Sequence, residues 1–165
     1  MFDLVQTELL RSLEAAEGLY HRLVLLVGKS GSGKTGLLQE VAKEVGASVI
    51  NVNLALSGEL LELTAKQRSL RLPDLLDQIV DQAQSPVVLD NIEILFDKDL
   101  QLDPLRLLQG ISRNRTVVSS WGGAMISGKL IYAEIGHPEY RNYESVDALI
   151  VCMDGTATVD AAQNN

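Results

Sequence analysis

Leu23-Val-Leu-Leu-Val-Gly-Lys-Ser-Gly-Ser-Gly-Lys-Thr35 is the stretch that decides the fold. It opens with a run of apolar residues that stops at a glycine, which is typical of a buried strand in a parallel sheet. The segment Gly28–Thr35 has the spacing of a phosphate-binding loop. Helical spacing of apolar residues follows from Leu37 to Val45. A strand, this loop and a helix in that order predict a P-loop nucleotide-binding domain.

The loop is predicted to bind the phosphates of ATP together with Mg²⁺. Glycines let successive backbone N–H groups turn towards a phosphate, and the helix that follows presents its positive end. The Lys34 side chain can reach the β- and γ-phosphates, and the Thr35 hydroxyl can ligate Mg²⁺. The candidate phosphate-binding residues are Gly28, Lys29, Ser30, Gly31, Ser32, Gly33, Lys34 and Thr35.

The rest of the chain alternates between strand-like and helix-like patterns, which predicts a parallel α/β sheet of about five strands flanked by helices. The predicted strands after the first are 48–53, 87–90, 115–120, 130–135 and 148–153. The predicted helices are 2–16, 34–45, 73–83 and 104–110, and Pro73 is expected to end any helix before it. We expect a single domain over residues 1–153 and a disordered tail over 154–165.

Composition narrows the function classes. The chain has 165 residues, one cysteine and a net charge of −8. The charge disfavours nucleic-acid binding by a monomer, although an oligomer could line a channel with Lys66, Arg68 and Arg71. A lone cysteine and the lack of a signal peptide or a membrane-spanning apolar run favour a cytoplasmic protein.

A second acidic motif supports metal binding and hydrolysis. Asp90 ends the apolar strand 87–90, where P-loop proteins place a carboxylate for Mg²⁺. Many ATPases of this kind have a glutamate directly after that aspartate, but here the position is Asn91. Glu93 is therefore the candidate that orients or deprotonates water, if the chain bends after the strand. Nucleotide binding is better supported than turnover.

Other polar residues are candidates for completing the site. Ser119 or Ser120, at the end of strand 115–120, is expected to hydrogen-bond the γ-phosphate or the attacking water. Arg113, Arg115 and Arg141 are candidates for an arginine that stabilises the transferring charge in the site of a neighbouring subunit.

Several stretches together suggest a family. They are Leu25–Thr35, Ile50–Asn53, Val88–Glu93, Thr116–Gly123 and Gly136–Tyr140. In combination they resemble the BrxF family, the small P-loop proteins of bacteriophage exclusion (BREX) defence systems. The resemblance implies an AAA+-like core without a C-terminal helical lid, a bacterial cytoplasmic location and other BREX proteins as partners. It also implies that Gly28–Thr35 bind the phosphates and that Asp90 supports Mg²⁺.

Three functions therefore stay open. The first is an ATPase subunit whose nucleotide state controls oligomerisation or partner assembly. The second is a nucleotide-binding adaptor with little hydrolysis, which Asn91 favours. The third is a small-molecule kinase, which the stretch 122–129 disfavours because it contains no arginine for a lid.

Overall fold

The computed structural model describes residues 3–133 and 136–158. Its helices are α1 (Asp3–Ala16), α2 (Lys34–Val45), α3 (Val52–Leu60), α4 (Ala65–Asp81) and α5 (Pro104–Ile111). Its strands are β1 (Leu23–Gly28), β2 (Val49–Asn51), β3 (Val87–Asp90), β4 (Val117–Ile126), β5 (Lys129–Tyr132), β6 (Arg141–Tyr143), β7 (Leu149–Cys152) and β8 (Ala157–Thr158). Two 3-10 turns, Glu93–Phe96 and Lys98–Leu100, lie between β3 and α5.

The central sheet confirms the predicted architecture. Its strands follow the order β2-β3-β4-β1-β7-β8, in which the first five are parallel and β8 is antiparallel to β7. The strand that leads into the phosphate loop, β1, lies between β4 and β7. The sheet therefore continues to Thr158, and the rest of the predicted disordered tail, 159–165, lies outside the described residues.

The core is divided by the sheet, because successive strand residues point to opposite faces. Leu23 and Leu25 of β1 pack in one apolar cluster with α3, α4 and α5. Val24 and Leu26 pack in the other with α1 and α2. All four side chains are fully buried, which explains why this strand is a continuous apolar run rather than an alternating one.

The second strand is shorter than predicted. The pattern 48–53 indicated a strand through Asn53, but β2 ends at Asn51 and α3 begins at the next residue. The Asn51 side chain accepts a hydrogen bond from the backbone N–H of Leu54, 3.0 Å away. Such a cap satisfies an amide that the helix leaves unpaired, so the asparagine ends the strand by starting the helix.

The prediction that Pro73 would end any helix before it is wrong, because α4 continues through it. A proline inside a helix removes one N–H donor and crowds the carbonyl four residues earlier. The helix nevertheless buries leucines on both sides of that position, at Leu72, Leu75 and Leu76. A capping box between Thr64 and Gln67 stabilises its first turn.

The predicted strands 115–120 and 130–135 differ most from the observed ones. β4 runs on to Ile126, past the end of the parallel sheet, and pairs with β5 in an antiparallel hairpin. Ser127 and Gly128 make the turn with φ angles of 52° and 77°, as a tight hairpin requires. The predicted strand 130–135 thus belongs to this hairpin, and its last residues, Glu134 and Ile135, lie outside the described residues.

An aromatic cluster fixes the hairpin to the domain. Phe96 stacks on Tyr132 with ring centroids 3.4 Å apart, and the Trp121 ring meets both edge-on. The Trp121 indole N–H donates to the carbonyl of Ile131. Tyr143 of β6 packs edge-on against the same indole. The hairpin is consequently part of the core rather than a loose loop.

Within the described residues, no helix has both the length and the apolar character needed to cross a membrane.

The close approach of β4 and β5 generates a prediction. A Cβ at position 123 would lie 1.8 Å from the carbonyl oxygen of Ile131, so only glycine fits. We expect Gly123→Ala to lower the free energy of unfolding by at least about 2 kcal/mol, measured by urea denaturation. Gly122→Ala is the matched control, since its Cβ would meet only Tyr132 Cε1 at 3.8 Å. Equal stability of the two variants would contradict the described pairing.

Candidate nucleotide-binding site

The phosphate loop connects β1 to α2 and is held by its own lysine. Gly31 and Gly33 have φ angles of 79° and 99°, a region that side chains other than glycine rarely adopt. The Lys34 ammonium donates to the carbonyl oxygens of Gly28 and Lys29, both at 2.8 Å. A Cβ at Gly28 would lie 2.5 Å from the Ser32 hydroxyl, so the first glycine allows the loop to close tightly.

Burial lowers the pKa of Lys34, and the nearby carboxylates of Asp90 and Glu93 oppose that effect. The ammonium is thus placed beside two negative groups in a partly desolvated position. Coulombic attraction is stronger there than in bulk water. The lysine is suited to meet an anionic ligand at this point.

The metal candidates lie together. The Thr35 hydroxyl donates to Asp90 Oδ2 at 2.7 Å, which joins the start of α2 to the end of β3. Asp90 is 5% exposed, and its other oxygen accepts from the backbone N–H of Asn91. A buried carboxylate beside a hydroxyl at the mouth of a phosphate loop provides the hard oxygen ligands that Mg²⁺ requires.

A sharp turn after β3 places Glu93 beside this pair. Asn91 has a φ of 55°, and its carbonyl accepts from the backbone N–H of Asn53 at 2.9 Å. The Asn53 side chain in turn accepts from the backbone N–H of Ile94 at 2.8 Å. The chain therefore bends as the hypothesis for Glu93 required, and Glu93 lines the same cleft as Lys34. These two hydrogen bonds of Asn53 form what we call the Asn53 clamp. It was not predicted, because it joins residues about 40 positions apart.

Ser119 and Ser120, which are neighbours in β4, point to opposite faces of the sheet because strand residues alternate. Ser120 lines the cleft, whereas Ser119 is fully buried and lies on the opposite face. The Ser119 hydroxyl donates to the carbonyl of Ser120 at 3.0 Å. Of the two predicted serines, Ser120 and not Ser119 therefore lies where a hydroxyl could reach a phosphate.

Arg113 and Arg115 do not reach the site of their own chain. They precede β4, and the chain there pairs with the start of β1: Arg22 N–H donates to Ser112 and Arg22 accepts from Val117. Arg113 and Arg115 therefore lie at the end of the sheet where β1 begins, whereas the phosphate loop lies at the end where β1 finishes.

Each predicted arginine also has another contact. Arg113 lies over the Tyr20 ring, 4.7 Å from its centroid. Arg115 forms an ion pair with Asp81 and donates to the carbonyl of Ile111. Arg141, on β6, donates to the carbonyl of Leu102 at 2.8 Å. Their side chains therefore stabilise loops and helix ends in this structure.

An open cleft of about 1250 Å³ runs from the phosphate loop to the hairpin. That volume is ample for a nucleoside triphosphate. The far wall was not predicted and consists of Gly122, Gly123, Ala124, Ile126, Ile131, Tyr132, Ala133 and His137. Burial, together with the charges of Glu93 and Glu139, raises the pKa of Tyr132 to about 12, so its phenol is neutral at physiological pH.

The residues present fit a Mg²⁺–nucleotide complex. The buried Ser32 hydroxyl has no hydrogen-bond partner among the described residues, and a phosphate oxygen would supply one. No cluster of three or more His, Cys, Asp or Glu side chains suited to a metal occurs in the ranges 3–133 and 136–158. Asp90 and Thr35 suit an ion that takes its remaining ligands from phosphate and water, as Mg²⁺ does.

The chain is similar to known proteins in its sequence and in its fold. Residues 24–114 match the model of the ATPase family associated with various cellular activities (AAA). The match covers more than half of the sequence, and the chain belongs to this family. A comparison with curated protein sequences gives no match.

A solved structure, that of C. elegans PCH-2, is similar to the chain with a TM-score of 0.51 and 16% sequence identity. The similarity covers 93% of this chain and 42% of that one, so the chain spans less than half of the PCH-2 structure. At such low identity the likeness supports the fold alone.

The Asn53 clamp generates a prediction. Asn53→Ala removes the acceptor for the Ile94 amide, so we expect faster hydrogen exchange over residues 91–96 and a loss of about 1–2 kcal/mol in the free energy of unfolding. Asn51→Ala is the control, because it removes the cap of α3 instead. The clamp is refuted if exchange over 91–96 rises equally in both variants.

Proposed function

We propose that this member of the AAA family is a Mg²⁺-dependent ATPase. One observation carries the proposal: the hydrogen bond from Thr35 to Asp90, which brings the phosphate loop and the acidic end of β3 together. Glu93 and Ser120 line the same cleft. These are the parts that phosphoryl transfer from ATP to water needs.

Each residue has a distinct role in this proposal. Backbone N–H groups of Gly31–Thr35 and the Lys34 ammonium bind the phosphates. Asp90 and Thr35 would hold Mg²⁺, which neutralises phosphate charge when bound. Glu93 orients and polarises the attacking water, and the Ser120 hydroxyl donates to the terminal phosphate or to that water.

Turnover is proposed to be slow in the isolated chain. Glu93 follows a bend held by Asn53 rather than directly following Asp90. Among the described residues that line the cleft, Lys29 and Lys34 are the only lysines or arginines. An arginine or lysine from another subunit would stabilise the charge that develops on the transferring phosphate, which few cations of the cleft can do. This supports a homo-oligomer, and Arg113, Arg115 and Arg141 are the proposed donors across its interface.

The biological setting is a proposal as well. The resemblance to the BrxF family supports a cytoplasmic component of a BREX anti-phage system, in which nucleotide state controls oligomerisation or assembly with other BREX proteins. The ATPase domain then extends at least to Thr158, because β8 pairs with β7, rather than ending at residue 153 as expected from the sequence. DNA contact would come only through an oligomer or a partner, since the chain carries a net charge of −8.

Lys34→Ala and Glu93→Gln separate binding from hydrolysis. Lys34→Ala removes the ammonium that meets the phosphates, so we expect both ATP affinity and turnover to fall at least about 10-fold. Glu93→Gln should keep ATP affinity within about twofold and lower the rate about 100-fold. The measurements are calorimetric ATP binding, phosphate release and light scattering with and without a Mg²⁺–ATP analogue.

Other outcomes distinguish the alternatives. Tight ATP binding without phosphate release by the wild type would favour the nucleotide-binding adaptor. Turnover that requires an added acceptor would favour the kinase. An unchanged mass with and without the analogue would refute nucleotide-controlled self-assembly, while leaving the ATPase proposal intact.

The two serines of β4 provide a further prediction. Ser120→Ala removes the hydroxyl in the cleft, and we expect the rate of phosphate release to fall about 10-fold or more. Ser119→Ala is its matched control: it removes a buried hydroxyl on the other face and should affect stability rather than turnover. Slower phosphate release in Ser119→Ala, with an unchanged rate in Ser120→Ala, would instead assign the phosphate contact to Ser119.

A further inference from the structure

His137 lies in the far wall of the cleft, in a turn that fixes its position. The turn is His137-Pro-Glu-Tyr140, and the Tyr140 backbone N–H donates to the His137 carbonyl at 3.1 Å. The Glu139 backbone N–H donates to the His137 ring at Nδ1, 3.0 Å away. Pro138 restricts the backbone between them. The imidazole is exposed, but it is oriented by its own turn.

This hydrogen bond determines which ring nitrogen can donate. A backbone N–H only donates, so Nδ1 must act as the acceptor and carry no proton. In the neutral imidazole the proton is then on Nε2. His137 therefore offers one N–H donor, and Nε2 is the ring nitrogen left for a ligand.

The position of His137 in the cleft identifies the part of the nucleotide it would meet. The loop N–H groups serve the phosphates nearest the nucleoside, and Lys34 serves the β- and γ-phosphates. Glu93, Ser120, Tyr132 and His137 all line the same cleft. The charges of Glu93 and Glu139 both act on the Tyr132 phenol, so Glu93 and the turn that holds His137 lie near the same side chain. Because Glu93 is proposed to orient the water that attacks the terminal phosphate, His137 is on the side of the cleft where that phosphate would lie.

We propose that His137 donates a hydrogen bond from Nε2–H to the terminal phosphate of ATP, and that it thereby favours ATP over ADP. The inference rests on the proposed nucleotide site, which it deepens by naming a residue that reads the third phosphate. The hairpin residues that line the cleft are apolar apart from the Tyr132 phenol, so His137 and this phenol are the side-chain donors among the described residues of this wall.

The test compares two ligands. Affinity for ADP and for a non-hydrolysable ATP analogue is measured by calorimetry, with Mg²⁺, in the wild type, His137→Ala and His137→Gln. We expect His137→Ala to weaken the ATP analogue about 10-fold or more, as for a lost hydrogen bond to a charged group, and to leave ADP within about twofold. Gln carries an N–H at a similar reach, so His137→Gln should recover part of the loss.

His21→Ala is the matched control, because the other histidine of the chain pairs with Asp147 and precedes β1 at the opposite edge. Its affinities should equal those of the wild type. An equal loss for both ligands in His137→Ala, or no loss for either, would overturn the assignment of His137. Failure of the proposed site is a separate outcome: the wild type itself would then bind neither ligand.

Discussion

Burial of β1 on both faces is the constraint on which the rest of the structure depends. Its side chains Leu23, Val24, Leu25 and Leu26 are fully excluded from water, so both surfaces of the sheet must be covered by helices. β1 also pairs with a parallel strand on each side. Parallel neighbours end at the same edge of a sheet. The phosphate loop, which leaves the end of β1, therefore lies beside Asp90 at the end of β3 and beside Ser120 in the part of β4 that pairs with β1.

The same constraint explains why the wall opposite the loop is built differently. After Gly122 the chain passes beyond its parallel pairing with β1 and returns as an antiparallel hairpin. The stack of Phe96 on Tyr132 joins this hairpin to the apolar cluster on that face of the sheet. Phe96 belongs to the 3-10 turn that begins with Glu93, so one stacking contact links the hairpin to the turn that presents this carboxylate. The position of the hairpin and the position of Glu93 are thus fixed in part by the same contact.

How much could be predicted from the sequence depended on the range of the interactions involved. The loop, the strand β3 ending in Asp90 and the helix closed by Gly46 rest on local patterns, and the structure has them where predicted. Strand alternation could have separated Ser120 from Ser119, had the register with β1 been known. The clamp by Asn53 and the packing of Phe96 on Tyr132 join distant segments and have no local signature.

The charge balance of the site favours a nucleotide that binds together with a cation. Lys34 donates to the carbonyls of Gly28 and Lys29 and lies near Asp90 and Glu93. A triphosphate in the proposed site would therefore approach two carboxylates. Because like charges in a partly desolvated cleft repel strongly, the nucleotide should enter with its charge reduced. A divalent cation would meet that requirement, and in the proposed site it would couple nucleotide affinity to Mg²⁺ through the same Asp90 that joins the loop to the sheet.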